Sequence, residues 1–78
     1  MDIFDVQSFE SKHRNLILVT TIGEGPWKIE LFLNPDDGFH YAKGPFSRWD
    51  SICYVKLSFQ DQNHRDAWIK KMSNLNRG

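Results

Sequence analysis

The sequence has 78 residues, of which 40% are hydrophobic, 14% aromatic and 26% charged. This length corresponds to one domain spanning residues 1–78, and the hydrophobic content argues against disorder. Ten basic residues balance ten acidic ones, which speaks against a mainly electrostatic grip on duplex nucleic acid or an anionic membrane. Zero net charge also lowers repulsion between copies, so the composition is compatible with a homodimer.

Cysteine usage and apolar runs bear on the compartment. Cys53 is the only cysteine, so an intramolecular disulfide is excluded and a reducing, cytoplasmic location is the simpler expectation. The N-terminal stretch MDIFDVQSFESK is acidic and lacks a long apolar run, unlike a signal or transit peptide. No window approaches the roughly 20 apolar residues of a membrane span. We therefore expect a cytoplasmic protein with no membrane attachment.

The first half of the chain predicts strands. The apolar residues of 3–9 scatter around a helical axis, so we predict a strand there. The run 16–22, LILVTTI, is rich in β-branched residues and predicts a second strand, whose four leading apolar residues indicate burial on both faces. A turn over 23–26 separates it from 27–33, WKIELFL, which alternates between apolar and polar side chains. These two runs predict an antiparallel hairpin.

The second half begins with a strong turn signal, Asn-Pro-Asp-Asp-Gly over 34–38. It predicts a reversal into a strand over 39–43, then a structured loop, then the alternating strand 52–59. The spacing changes after a polar link to that of a helix beginning at Asp61 or Asn63. Its apolar stripe comprises Trp68, Ile69, Met72 and Leu75. The predicted fold is α+β, an antiparallel β-meander of four to five strands with one C-terminal helix packed on one face.

The sequence lacks recognisable catalytic or metal-binding motifs. His13, His40 and His64 do not have metal-ligand spacing, and turn chemistry accounts for the paired carboxylates of Asp36 and Asp37. The expectation is therefore a protein that is not an enzyme and that has no metal and no cofactor. The alternative requires His40 and His64 to meet in space with Asp36, Asp37 or Asp61.

The aromatic residues suggest a binding role, because one helix covers only one face of a sheet. If Trp27, Leu31, Val55, Leu57 and Phe59 face the helix, Phe32 and Tyr54 face away, together with Ile17 and Val19. Exposed apolar patches of this kind mark partner-binding or self-association sites. The alternative is that the N-terminal segment folds over this face and hides it.

The loop GPFSRWD over 44–50 adds Phe46, Arg48 and Trp49, a combination typical of binding hot spots. Phe46 and Trp49 can instead tuck beneath their own loop. The sequence predicts partner-binding through Phe46, Arg48, Trp49, Phe32 and Tyr54. Our leading hypothesis is a small protein-binding module, an inhibitor or accessory factor of a larger complex. The alternative is single-stranded nucleic-acid binding by aromatic stacking.

The segment VKLSFQDQNHRDAWIKKM resembles the end of pleckstrin-homology domains, with a closing strand, a polar link and a helix that carries Trp68. WKIELFLNPDDGFHYAKG is similar to an early hairpin of that family. The resemblance covers about half the chain, which is about two strands short of a full barrel of that type. The family's phosphoinositide-binding loop corresponds to IGEGPWK, where only Lys28 matches its basic residues.

Overall fold

The computed structural model of the chain describes residues 3–46 and 51–75. In these ranges an antiparallel sheet of five strands has the order β1-β5-β4-β3-β2. The elements in chain order are β1 (Ile3–Asp5), α1 (Val6–Lys12), β2 (Ile17–Ile22), a 3₁₀ turn (Gly25–Trp27), β3 (Ile29–Leu33), β4 (His40–Gly44), β5 (Cys53–Leu57) and α2 (Gln62–Leu75). The predicted α+β class, with an antiparallel sheet and a C-terminal helix, is confirmed.

The turn between β3 and β4 forms as the sequence predicts. The Gly38 amide donates a 2.8 Å hydrogen bond to the Asn34 carbonyl, and the Asn34 amide donates a 2.9 Å bond to the Phe39 carbonyl. Gly38 has φ +77°, a conformation that glycine adopts without steric cost. The Asn34 side chain is fully buried and accepts a 3.1 Å bond from the Asp36 amide. The turn therefore fixes the register between β3 and β4.

The N-terminal segment differs from the predicted strand over 3–9. It forms the three-residue β1 and then turns directly into the seven-residue helix α1. Asp5 caps this helix, because its carboxylate accepts a 3.1 Å bond from the Ser8 amide. A single window over 3–9 thus mixes a period of two with a period of 3.6, and neither pattern stands out. β1 pairs with β5, where Phe4 lies opposite Tyr54.

Helix α1 covers one face of the sheet, which we call the α1 face. Phe9, Tyr41 and Tyr54 are its buried centre. The Phe9 ring lies 4.4 Å from the Tyr54 ring and 4.6 Å from the Tyr41 ring, centre to centre. Packed against this centre are Phe4, Val6, Leu16 and Phe32. Burial of these rings anchors a helix too short to be stable alone.

Helix α2 packs on the opposite face, the α2 face. Its first turn is capped by Asp61, whose carboxylate accepts a 2.8 Å bond from the His64 amide. Trp68, Ile69 and Met72 pack on a buried cluster of Ile22, Ile29 and Ala42. No side chain of α2 is itself fully buried, and Leu75 is 65% exposed. The predicted helix–sheet packing is confirmed, but Leu75 does not belong to the apolar stripe.

Trp27 lies outside the sheet, contrary to the prediction that it begins a strand on the helix-facing side. Gly25 has φ +65°, and Pro26 begins the 3₁₀ turn that carries Trp27. The turn ends at Trp27 and β3 begins at Ile29. Trp27 therefore precedes the strand and is 58% exposed. Leu31 and Ala42, which lie opposite each other in β3 and β4, are fully buried.

Candidate interaction surface

Tyr54, a predicted partner-binding residue, lies inside the protein and is 1% exposed. Its hydroxyl donates a 2.6 Å hydrogen bond to Glu10 Oε2, and Lys43 Nζ donates a 3.0 Å bond to the same oxygen. These bonds from Tyr54 and Lys43 lower the pKa of Glu10 below its usual value. Burial, followed by the nearby Glu10 carboxylate, raises the pKa of Tyr54. The three side chains join α1 to β4 and β5.

The α1 face is therefore covered, and the alternative in which the N-terminal segment folds over the sheet is correct. Phe32 is partly buried, and its ring lies 6.0 Å from that of Tyr54. The expected open aromatic face over Phe32 and Tyr54 is wrong, because Phe9 occupies the space that a partner would need. Ile17 also does not belong to this face. It lies opposite Leu33, which is on the same face as Leu31 and therefore faces α2.

The predicted loop site is only partly described. Arg48 and Trp49 lie outside the described residues. Phe46 is half-buried and packs against the cluster beneath α2. It forms one wall of an apolar groove of about 150 Å³, whose other lining residues are Ala42, Val55, Leu57, Trp68 and Met72. Phe46 thus packs between the sheet and α2, while residues 47–50 of its loop lie outside the described residues.

β2 offers a second kind of surface, because it is a six-residue strand at one end of the sheet. Among the described strands it pairs only with β3, so alternate backbone N–H and C=O groups point outward. Ile17 and Leu18 are each 51% exposed. The predicted burial on both faces thus fails at these two residues, although α2 covers the other end of the same strand at Ile22.

The opposite edge of the sheet is less suited to pairing. β1 has three residues and continues without a break into α1. Its exposed apolar side chain is Ile3, at 53%. A three-residue edge offers few outward backbone groups, and short edge strands protect against unwanted pairing. The two edges are therefore unequal, although Ile3 and Ile17 are almost equally exposed.

The side chains along the β2 edge are uncharged. Residues 15–23 contain no charged side chain and no proline. Charged residues flank the strand, Arg14 on its N-terminal side and Glu24 on its C-terminal side, and both are exposed. The register with β3 shifts between Leu18 and Thr20, which is typical of a β-bulge at Val19. Edge strands without charge or proline can pair with another chain.

The histidines lie in two parts of the structure, and His40 lines a cavity of about 290 Å³ together with Asp61. The Phe59 ring lies between His40 and His64, at 5.1 Å from one and 5.5 Å from the other. Burial, with a smaller contribution from the Arg65 charge, lowers the pKa of His40. His13 Nδ1 lies 3.6 Å from an Asp36 carboxylate oxygen. Within residues 3–46 and 51–75, His, Cys, Asp and Glu side chains form no cluster able to hold a metal ion.

The described helices include none with the length and apolar character to span a membrane. Comparisons with protein-family models, with curated proteins and with solved structures find no match to this chain. The strand, polar link and Trp68 helix that resemble pleckstrin-homology domains are present as β5 and α2, but no family model supports that relationship.

Proposed function

We propose that the protein is a small, non-enzymatic protein-binding module, an accessory factor or inhibitor of a larger complex. In this proposal its docking surface is the outer edge of β2, and its partner supplies an extended segment that adds a strand to the sheet. A cytoplasmic location belongs to the same proposal, because Cys53 is a free, buried thiol.

The observation that supports the proposal is that the β2 edge is less protected than the faces of the sheet and its other edge. A helix packs on each face of the sheet, and the other edge strand, β1, has three residues within the described part of the chain. The six-residue β2 pairs with no described strand on its outer side, and its Ile17 and Leu18 are half-exposed. Main-chain hydrogen bonds supply affinity in strand addition, and alternate side chains supply specificity.

The partner's chemistry follows from the side chains along β2. Ile17, Thr20 and Ile22 lie opposite Leu33, Leu31 and Ile29, which puts all three on the α2 face. Leu18 and Thr21 lie opposite Phe32 and Glu30, on the α1 face. A matching segment therefore needs apolar or β-branched residues on both faces and no charge at its centre.

The exposed aromatic residues give less support to nucleic-acid binding. Tyr41 and Tyr54 are buried under α1, which removes them as a stacking platform. Trp27 lies in the turn before β3, and Phe39 lies in the turn before β4, at the other end of these strands. Successive bases need aromatic rings along one groove, and these two rings lie too far apart along the strands to form one. The experiment below therefore includes single-stranded nucleic acid as an alternative ligand.

The experiment compares affinity capture from an extract by three forms of the protein. These are the unmodified chain, Ile17→Lys/Leu18→Lys, and the matched control Ile3→Lys on the opposite edge. We expect the unmodified chain and the control to retain the same protein, and the β2 variant to lose it, because inserted lysines block edge pairing. Titration calorimetry with the purified captured protein then measures each affinity. Thermal melting checks that all three forms are folded.

Equal retention of that protein by all three forms contradicts docking at β2. Retention of neither another protein nor a second copy of this chain contradicts the binding function itself. Retention of a mixed-sequence oligonucleotide at about 50 mM salt, lost at higher salt, identifies the nucleic-acid alternative instead.

A further inference from the structure

We infer that the segment that docks on β2 is β2 of a second copy, so that two chains form a symmetric dimer through one continuous sheet. This inference rests on the proposed function, because it needs the β2 edge as the docking surface. It adds the identity of the occupant and the direction in which the strands pair.

The charges that flank β2 favour antiparallel pairing with itself. When two copies of one strand pair antiparallel, the N-terminal end of each lies beside the C-terminal end of the other. Arg14 of one copy then lies near Glu24 of the second, and the two-fold axis repeats this contact at the other end. Parallel pairing brings Arg14 near Arg14 and Glu24 near Glu24, which is unfavourable.

The side-chain pattern of β2 is also self-complementary. Ile17 and Ile22 both lie on the α2 face, and Leu18 and Thr21 both lie on the α1 face. One antiparallel register places Ile17 opposite Ile22 of the second copy and Leu18 opposite Thr21. A one-residue slip would place side chains on opposite faces of the joint sheet. The bulge at Val19 thus reverses the parity of the strand in the way that this register requires.

The exposed apolar side chains gain cover in this arrangement. Ile17 is 51% exposed in the single chain, whereas Ile22 is 3% exposed beneath α2. Pairing sets the exposed Ile17 beside the well-packed Ile22 of the other copy at both ends. The formal net charge of zero leaves little long-range repulsion between two copies.

Sedimentation equilibrium from about 10 µM to about 1 mM protein, a range that spans weak to moderate affinities, tests the inference. We expect a reversible dimer. Arg14→Glu or Glu24→Arg alone should weaken it about tenfold at low salt, because two attractive contacts become repulsive. The double variant Arg14→Glu/Glu24→Arg should restore the original affinity. Ile3→Lys, on the other edge, should dimerise like the unmodified chain.

A chain that stays monomeric over this concentration range overturns the inference, and so does a dimer indifferent to the charge reversals. A dimer weakened by each single reversal but not restored by the double variant excludes the antiparallel arrangement. A different result contradicts the proposed function: the variant Ile17→Lys/Leu18→Lys still captures the partner. A monomeric chain that captures another protein through β2 leaves the proposed function intact and removes only this inference.

Discussion

The hydroxyl of Tyr54 lies 2.6 Å from the Glu10 carboxylate, and this bond joins the second strand from one edge of the sheet to the short helix that covers it. Lys43 donates to the same oxygen. The contact explains why the α1 face is closed. We therefore propose an edge of the sheet, rather than a face, as the docking surface.

The bond between Tyr54 and Glu10 should contribute measurably to stability. Tyr54→Phe keeps the ring in its packed position and removes only the hydroxyl. We expect a loss of about 1–1.5 kcal/mol in the free energy of unfolding, near the lower end for a bond to a charged group, because Glu10 is partly solvated. Urea denaturation measures it. An unchanged midpoint would show that water replaces the hydroxyl at no cost.

The same carboxylate predicts a pH dependence. The folded protein holds the pKa of Glu10 below the ordinary 4.5, so ionised Glu10 stabilises the fold at pH above about 4.5. That stability is lost as the pH falls through the lowered pKa. We expect the stability difference between the unmodified chain and Glu10→Gln to be largest near neutral pH and to shrink below pH 4.5.

Urea midpoints at a series of pH values measure this difference. The control is Asp66→Asn, which removes an exposed carboxylate of α2. A constant difference for Glu10→Gln across the acid range would contradict a lowered pKa.

The two helices should differ in what their apolar residues contribute. Phe9 in α1 is 4% exposed and contacts the rings of Tyr41 and Tyr54, so Phe9→Ala should cost about 3–5 kcal/mol. Leu75 in α2 is 65% exposed, and Leu75→Ala should change stability by less than about 0.5 kcal/mol. Chemical denaturation compares the two. Similar costs for both variants would contradict the assignment of the core.

His40 should titrate below the ordinary histidine pKa of 6.5. Burial and, to a smaller extent, the Arg65 charge both disfavour the imidazolium form. Arg65→Gln should therefore move the pKa of His40 upward but leave it below 6.5. Lys70→Gln, an exposed change on the same helix, should leave it unchanged. Histidine NMR titration measures both. A downward shift in Arg65→Gln would exclude the charge contribution.

Local chemistry made much of the fold predictable. The Asn-Pro-Asp-Asp-Gly turn is specified by glycine's access to positive φ and by Asn34, whose carbonyl and side chain both accept hydrogen bonds. The strand before α2 and the cap at Asp61 follow from alternation and from one carboxylate. These features depend on neighbours within a few residues, and the sequence displays such neighbours directly.

That α1 covers the second face of the sheet was harder to predict. Helix α1 has only seven residues, too few for a clear period, although Asp5 three positions before Ser8 is a capping signal. Its position over Tyr54 depends on residues far apart in sequence, Glu10 and Lys43. The exposure of Ile17 likewise depends on strand order, which places β2 at an edge. Alternation within a strand does not reveal its place in the sheet.

Amide hydrogen exchange tests the proposed docking surface most directly. The sample is the complex with the captured protein or, where the partner is a second copy of this chain, the dimer. Docking at the sheet edge predicts slower exchange at the outward amides of β2, between Ile17 and Ile22, with β1 unchanged. Protection confined to α2 or to β1, with β2 exchanging as it does in the free monomer, would contradict it.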